Sequence, residues 1–123
     1  MIYVAGSHNS KGKMLEVCQA LKSEGFDVHY PFEFESCSEE IVLKDIRAIW
    51  KSSVVVRVVD GNSSEGASHE VHEAMLCNIP VFLLNLTGKD LDPWTKFFSD
   101  REVRSLGELI QVLKSGENKA LLH

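Results

Sequence analysis

Short apolar runs alternate along this chain with longer stretches in which apolar residues recur every three or four positions. Ile2 to Ala5, Phe26 to Tyr30, Val54 to Val59, Val81 to Leu84 and Glu102-Val103 read as strands. The third of these, Val54-Val55-Val56-Arg57-Val58-Val59, is β-branched almost throughout, which suits the buried centre of a parallel sheet. Gly12 to Ser23, Glu39 to about Lys51, Ala67 to Cys77 and Ser105 to Lys114 read as helices. The first is expected to bury Met14, Leu15, Cys18 and Leu21 on one face. The second groups Ile41, Val42, Asp45, Ile46 and Ile49, with Ser38 as its cap. Gly25 and Asn78 suit the left-handed positions that close the first and third helices. Asn85 to Ser99 has no clear period and reads as irregular, with Pro93 and Trp94 packing a lid or an interface.

Strands that alternate with helices specify an α/β layer fold. The right-handed crossover rule then gives one three-layer, flavodoxin/Rossmann-like domain. Its parallel five-stranded sheet is expected in the order 2-1-3-4-5. Residues 1–115 are expected to form the domain and residues 116–123 a loose tail.

Composition narrows the function classes. Thirteen basic against eighteen acidic residues leave a net charge of −5, so a nucleic-acid polymer is not an expected partner. Cys18, Cys37 and Cys77 form no C-x-x-C pair and read as reduced, mostly buried thiols. The start, Met1-Ile2-Tyr3-Val4-Ala5-Gly6, lacks a signal-peptide pattern, and no apolar run approaches membrane-spanning length. The expectation is a cytoplasmic protein with no membrane partner.

Polar residues gather where the strands end. Open parallel sheets bind ligands at the carboxyl ends of their strands. Gly6-Ser7 follows the first strand, Asp60 to Gly66 follows the third, and Glu70 lies just inside the next helix. Glycines there allow close approach of backbone to ligand, and helix-start N–H groups favour a phosphate or carboxylate. Asp45, with Val42, Ile46 and Ile49 around it, is expected to face inward as a carboxyl with a raised pKa. Bland readings fit the same residues: Glu70 as a first-turn acid answering the helix dipole, Asp45 as a solvated helix residue, Asp60 as a turn former. His69, Glu70, His72 and Glu73 do not make a zincin motif, because the histidines stand at i and i+3 rather than i and i+4. A receiver-type phosphoacceptor needs an acidic pair after strand one, where this chain has Gly6-Ser7.

At these residues the chain resembles the nucleoside 2-deoxyribosyltransferase-like family, which includes 2′-deoxynucleoside 5′-phosphate N-hydrolases. The resemblance rests on Ile2-Tyr3-Val4-Ala5-Gly6, on Lys44-Asp45-Ile46-Arg47-Ala48-Ile49, and on Gly66-Ala67-Ser68-His69-Glu70-Val71-His72-Glu73-Ala74 followed by Ile79-Pro80-Val81. It implies that Glu70 is the nucleophile, that Tyr3 orients it, and that Asp45 is the general acid and later the base. Ser64, six residues before Glu70, stands where the transferases carry an acid and the nucleotide hydrolases a serine. With Gly66, Ser7 and Lys11 or Asn9 it implies a cradle for the phosphate of a nucleoside 5′-monophosphate, and Gly6 and Asp60 are further candidate substrate-binding residues. The expected reaction is hydrolysis of the N-glycosidic bond, with base transfer and a catalytically inactive nucleotide-binding module as alternatives. Neither a metal nor an organic cofactor is implied. A homodimer or higher homo-oligomer is expected, with the helices beside strand three and the cluster Trp94, Phe97 and Phe98 as candidate interface; core packing is the alternative use of that cluster. The chain departs from the family pattern at His72, where a glycine is usual, and at Ser52-Ser53, where serine-aspartate is usual.

Overall fold

The computed structural model describes residues 1–30, 39–62 and 65–115. Its elements run β1 (Ile2–Gly6), α1 (Lys11–Ser23), β2 (Val28–His29), α2 (Glu39–Lys51), β3 (Val54–Val59), α3 (Glu65–Leu76), β4 (Val81–Asn85), α4 (Pro93–Phe97), β5 (Arg101–Val103) and α5 (Leu106–Lys114). The five strands form one parallel sheet in the order β2-β1-β3-β4-β5, which matches the expected topology.

Alternation along the strands divides the core into two layers. Ile2, Val4, Val54, Val56, Val58, Phe82 and Leu84 pack on one side against Met14, Val17, Leu21, Leu109 and Val112, from α1 and α5. On the other side, Tyr3, Ala5, Val55 and Val81 pack against Ala48, Ile49, Val71 and Ala74, from α2 and α3. The first layer is built from large side chains throughout. The second thins to alanines, and that thinning leaves room for polar groups between α2, α3 and the sheet.

Local chemistry accounts for the boundaries. Gly25 and Asn78 take positive φ, 93° and 57°, after α1 and α3. Ser105 caps α5 by accepting from the Glu108 N–H, and Asp92 caps α4 in the same way through Thr95. The segment expected to be irregular therefore contains a short helix, started by Asp92 and Pro93. Strand β2 is shorter than the expected Phe26 to Tyr30. It pairs only with β1 at an edge, and the Phe26 N–H turns back to the Leu21 carbonyl rather than joining the ladder.

Two expected helix faces are corrected. On α1, Leu15 is 38% exposed and Val17 takes its place, so the buried stripe is Met14, Val17, Cys18 and Leu21 at i, i+3, i+4 and i+7. On α2, Val42 is 51% exposed, because Ala48 and Ile49 fix which side meets the sheet. Of the cysteines, Cys18 is buried and Cys77 exposed, so the expectation of mostly buried thiols does not extend to Cys77. Ser38, Cys37 and the tail 116–123 lie outside the described residues. Among the described residues, no helix is long and apolar enough to cross a membrane.

Candidate active site

Tyr3 is the second residue of β1, and strand alternation turns it toward α2 and α3. The side chain is fully buried, and its hydroxyl donates to Oε2 of Glu70, in the second turn of α3. Val71 and Ala74 anchor α3 on the sheet, which holds Glu70 over the ring. Burial pushes the Glu70 carboxyl up to about 8.

Asp45 comes from α2. Its Oδ1 lies 3.2 Å from Nε2 of His29, and each side chain retains 17% exposure. The His29 ring stacks on Tyr3 at 5.1 Å between centroids, with an interplanar angle of 16°. Glu70, Tyr3, His29 and Asp45 thus form a continuous array of hydrogen bonds and stacked rings. Asp45 faces inward as expected. His29 was not among the residues singled out from the sequence. Register carried the signal, since parallel pairing sets His29 directly beside Tyr3.

A cavity of about 480 Å³ opens between α2 and α3, with Asp45 and Ile46 on one wall and Gly66, His69, Glu70 and His72 on the other. Its volume falls within the range of small-molecule sites. The Trp50 Nε1–H donates to Glu73 at 2.7 Å and fixes the spacing of the two helices beside it. Among the described residues, no group of three or more His, Cys, Asp or Glu side chains is arranged to hold a metal ion.

The other expected residues divide. Gly66 lines the cavity beside Glu70, and a Cβ there would meet open space. Gly6 ends β1 under α1, where a Cβ would come within 2.7 Å of the Met14 Sδ and 3.3 Å of the Val58 carbonyl oxygen. Ser7 is buried, and its hydroxyl accepts the Asn9 N–H to cap a 3-10 turn, His8–Ser10. Asn9 itself is exposed, as is Lys11. Asp60 accepts from Ser10 at 2.5 Å and from the Asn62 side chain at 3.1 Å. Burial works to raise the Asp60 carboxyl, but these bonds outweigh it and hold the group below its ordinary value. Asp60 is thereby a clamp between two loops. Ser64 lies outside the described residues.

A second, smaller cavity of about 160 Å³ sits on the other flank of the α3 start, among Ser7, Arg57, Asn62, Ala67, Thr87 and Asp92. Arg57 is an arginine inside the central strand, only 9% exposed, with Nη2 donating to the Ser68 hydroxyl at 3.3 Å. Desolvation lowers its pKa, offset in part by the charge of Asp92. The strand pattern passed over it because a single cation does not interrupt a β-branched run.

A solved structure of a 2-deoxyribosyltransferase from Bacillus psychrosaccharolyticus superposes with a TM-score of 0.74 at 19% identity, over 88% of each chain. The CMP N-glycosidase BcmB of Clostridium botulinum matches with a TM-score of 0.65 at 15% identity, over 94% of this chain and all of that one. The fold is that of the nucleoside 2-deoxyribosyltransferase-like proteins. A conserved protein from Enterococcus faecalis shares it, with a TM-score of 0.70 at 20% identity over 97% of this chain and 96% of that one. No family model matches the sequence, and no curated protein does.

Proposed function

We propose that this protein hydrolyses the N-glycosidic bond of a nucleoside 5′-monophosphate, with Glu70 as nucleophile. The observation that carries the reading is that two carboxyl groups, Glu70 held by Tyr3 and Asp45 held by His29, share one nucleoside-sized cavity. Two positioned carboxyls of this kind are the working parts of glycosidic bond cleavage.

In the first step the ionised Glu70 attacks the anomeric carbon. The C–N bond breaks, its electron pair goes to the base nitrogen, and Asp45 delivers a proton to the departing base. A glycosyl ester on Glu70 results. In the second step Asp45, now a carboxylate, takes a proton from water. The hydroxyl oxygen bonds to the anomeric carbon and releases Glu70. Tyr3 donates to the carboxylate whenever Glu70 is free, and His29 supports the charge that Asp45 acquires.

The serine identity at position 64 favours a phosphorylated substrate and hydrolysis. The deoxyribosyltransferase among the structural neighbours keeps transfer to a second base as the alternative. The active unit is proposed to be a cytoplasmic homodimer. Trp94 and Phe97, 77% and 71% exposed, join Phe98, whose ring meets His72 of the cavity wall edge-on at 5.7 Å. A second copy covering this patch would close the cavity on that side.

The test is chromatography of free base after incubation with a panel of nucleosides and 5′-monophosphates, with and without a second base. Release of base, fastest from a monophosphate, is expected. A new nucleotide formed in place of free sugar phosphate, or a new nucleoside in place of free sugar, assigns transfer. Stabilisation by a nucleotide with no release under any condition assigns the inactive binding module.

A further inference from the structure

The larger cavity holds a third carboxyl group, Glu73, that the reaction leaves unused. It follows Glu70 by three residues on α3, so it lies about 4.5 Å further along the helix axis on the same side. The Trp50 Nε1–H, from α2, donates to its Oε1 at 2.7 Å, and the Cys77 thiol reaches the same oxygen at 3.8 Å. Among the described residues no side chain donates to Oε2, and no cation pairs with the group. Glu73 is half-buried in the cavity wall, and the bond from Trp50 fixes where its carboxylate points. A fixed acceptor without a donor is half of a hydrogen bond, and partial burial makes the missing half costly. The other polar groups of the wall that the reaction leaves unused, His69 and His72, are exposed, and His72 is engaged by the Phe98 ring.

The proposed reaction sets the anomeric carbon against Glu70 and a base nitrogen against Asp45, so the base lies between α2 and α3. Glu73, a turn beyond the nucleophile, then stands at the edge of that base. A carboxylate accepts hydrogen bonds and does not donate them. It bonds an exocyclic amino group and repels an oxo group in the same place. We infer that Glu73 is the specificity-determining residue of this site, accepting from the exocyclic amino group of the base. The substrate class is therefore a nucleotide of an amino-bearing base, of the cytosine or adenine kind, in preference to its oxo counterpart, uracil or hypoxanthine. A site built to bond an N–H group rejects the analogue that lacks it, because its own acceptor is then left unpaired. Trp50 is the positioning residue, since its N–H occupies Oε1 and leaves Oε2 for the base. The inference rests on the glycosidase reading for where the base lies, but recognition of the base does not require turnover.

The experiment compares wild type and Glu73→Gln on two size-matched pairs, cytidine with uridine 5′-monophosphate and adenosine with inosine 5′-monophosphate, in ribo and 2′-deoxy forms. Glutamine keeps an acceptor for the Trp50 N–H and so preserves the helix spacing, but its amide also donates. Wild type is expected to show the higher kcat/KM for the amino member of each pair that it turns over. The amino-to-oxo ratio is expected to fall about 10- to 100-fold in Glu73→Gln, the range of a hydrogen bond to a charged group. A wild type without the preference, or a Glu73→Gln that slows both members equally, overturns the assignment. The melting-temperature shift produced by the same nucleotides separates this result from the fate of the glycosidase reading. If wild type releases no base yet is stabilised more by the amino member, and Glu73→Gln loses that difference, the glycosidase reading fails and the base assignment stands. If it releases no base and is stabilised equally by both members, or by no nucleotide, both fail.

Discussion

A carboxyl group that is to attack carbon must be ionised when it does so, and Glu70 sits where burial resists ionisation, with its titration pushed up to about 8. The Tyr3 hydroxyl opposes that resistance, and the cationic character of the transition state opposes it further. Two outcomes follow. First, on a nitrophenyl glycoside, whose leaving group needs no proton from Asp45, kcat/KM should rise with pH toward about 8, since this parameter reports the free enzyme. Second, between the ordinary value of 4.5 and about 8 the folded chain holds the Glu70 proton more tightly than the unfolded chain, so the fold loses stability as pH rises through that window. Glu70→Gln removes the loss. Its melting temperature should exceed that of wild type by more at pH 8 than at pH 5, and a difference independent of pH would contradict the burial argument. Asp45 has a separate signature. Asp45→Asn should cost about 10²–10⁴-fold in kcat/KM on a natural base, which needs a proton to leave, and little in kcat/KM on a nitrophenyl glycoside, whose leaving group needs none, because kcat/KM stops at formation of the glycosyl ester. Equal losses on both would remove Asp45 from the acid role. That Tyr3, Asp45 and Glu70 come together was legible because each stands in a motif. The place of His29 beside them was not, because only the β1–β2 register sets it against Tyr3.

At the level of elements, the site depends on how closely α1 and α3 approach β1 and β3. Gly6 is where that approach is tightest. Gly6→Ala would drive a methyl group against Met14 and the Val58 carbonyl, and should cost about 1–3 kcal/mol in urea unfolding as β1 shifts. A cost near zero would show that Met14 yields freely. Strand order and helix placement were readable from alternation and period alone, since β3 is β-branched and apolar at every position but Arg57 while β1 and β4 flank it. Helix faces were less readable. Leu15 and Val17 are both apolar, and only packing against β1 decides that Val17 turns inward. Likewise Val42 and Ile46 both suit the inner side of α2 in the sequence, and the alanine-lined layer beneath them admits fewer side chains than the pattern offers. The short helix α4 escaped notice because a five-residue segment gives period analysis less than two turns.

For the whole molecule, the exposed aromatic surface is the feature that a lone domain does not explain. Trp94, Phe97 and Phe98 line a shallow apolar cavity of about 340 Å³ next to the site. Sedimentation of wild type should give the mass of a dimer, and the double substitution Trp94→Ser with Phe97→Ser that of a monomer with reduced turnover. A monomeric wild type would leave the patch without this role. The central claim is chemical, however, and concerns one carboxylate. Base release from the preferred 5′-monophosphate should be measured for wild type and for Glu70→Gln, after circular dichroism has shown both folded. The account predicts a loss of more than about 10³-fold, as expected when a covalent nucleophile is removed. A folded Glu70→Gln that keeps a tenth or more of wild-type turnover would contradict it.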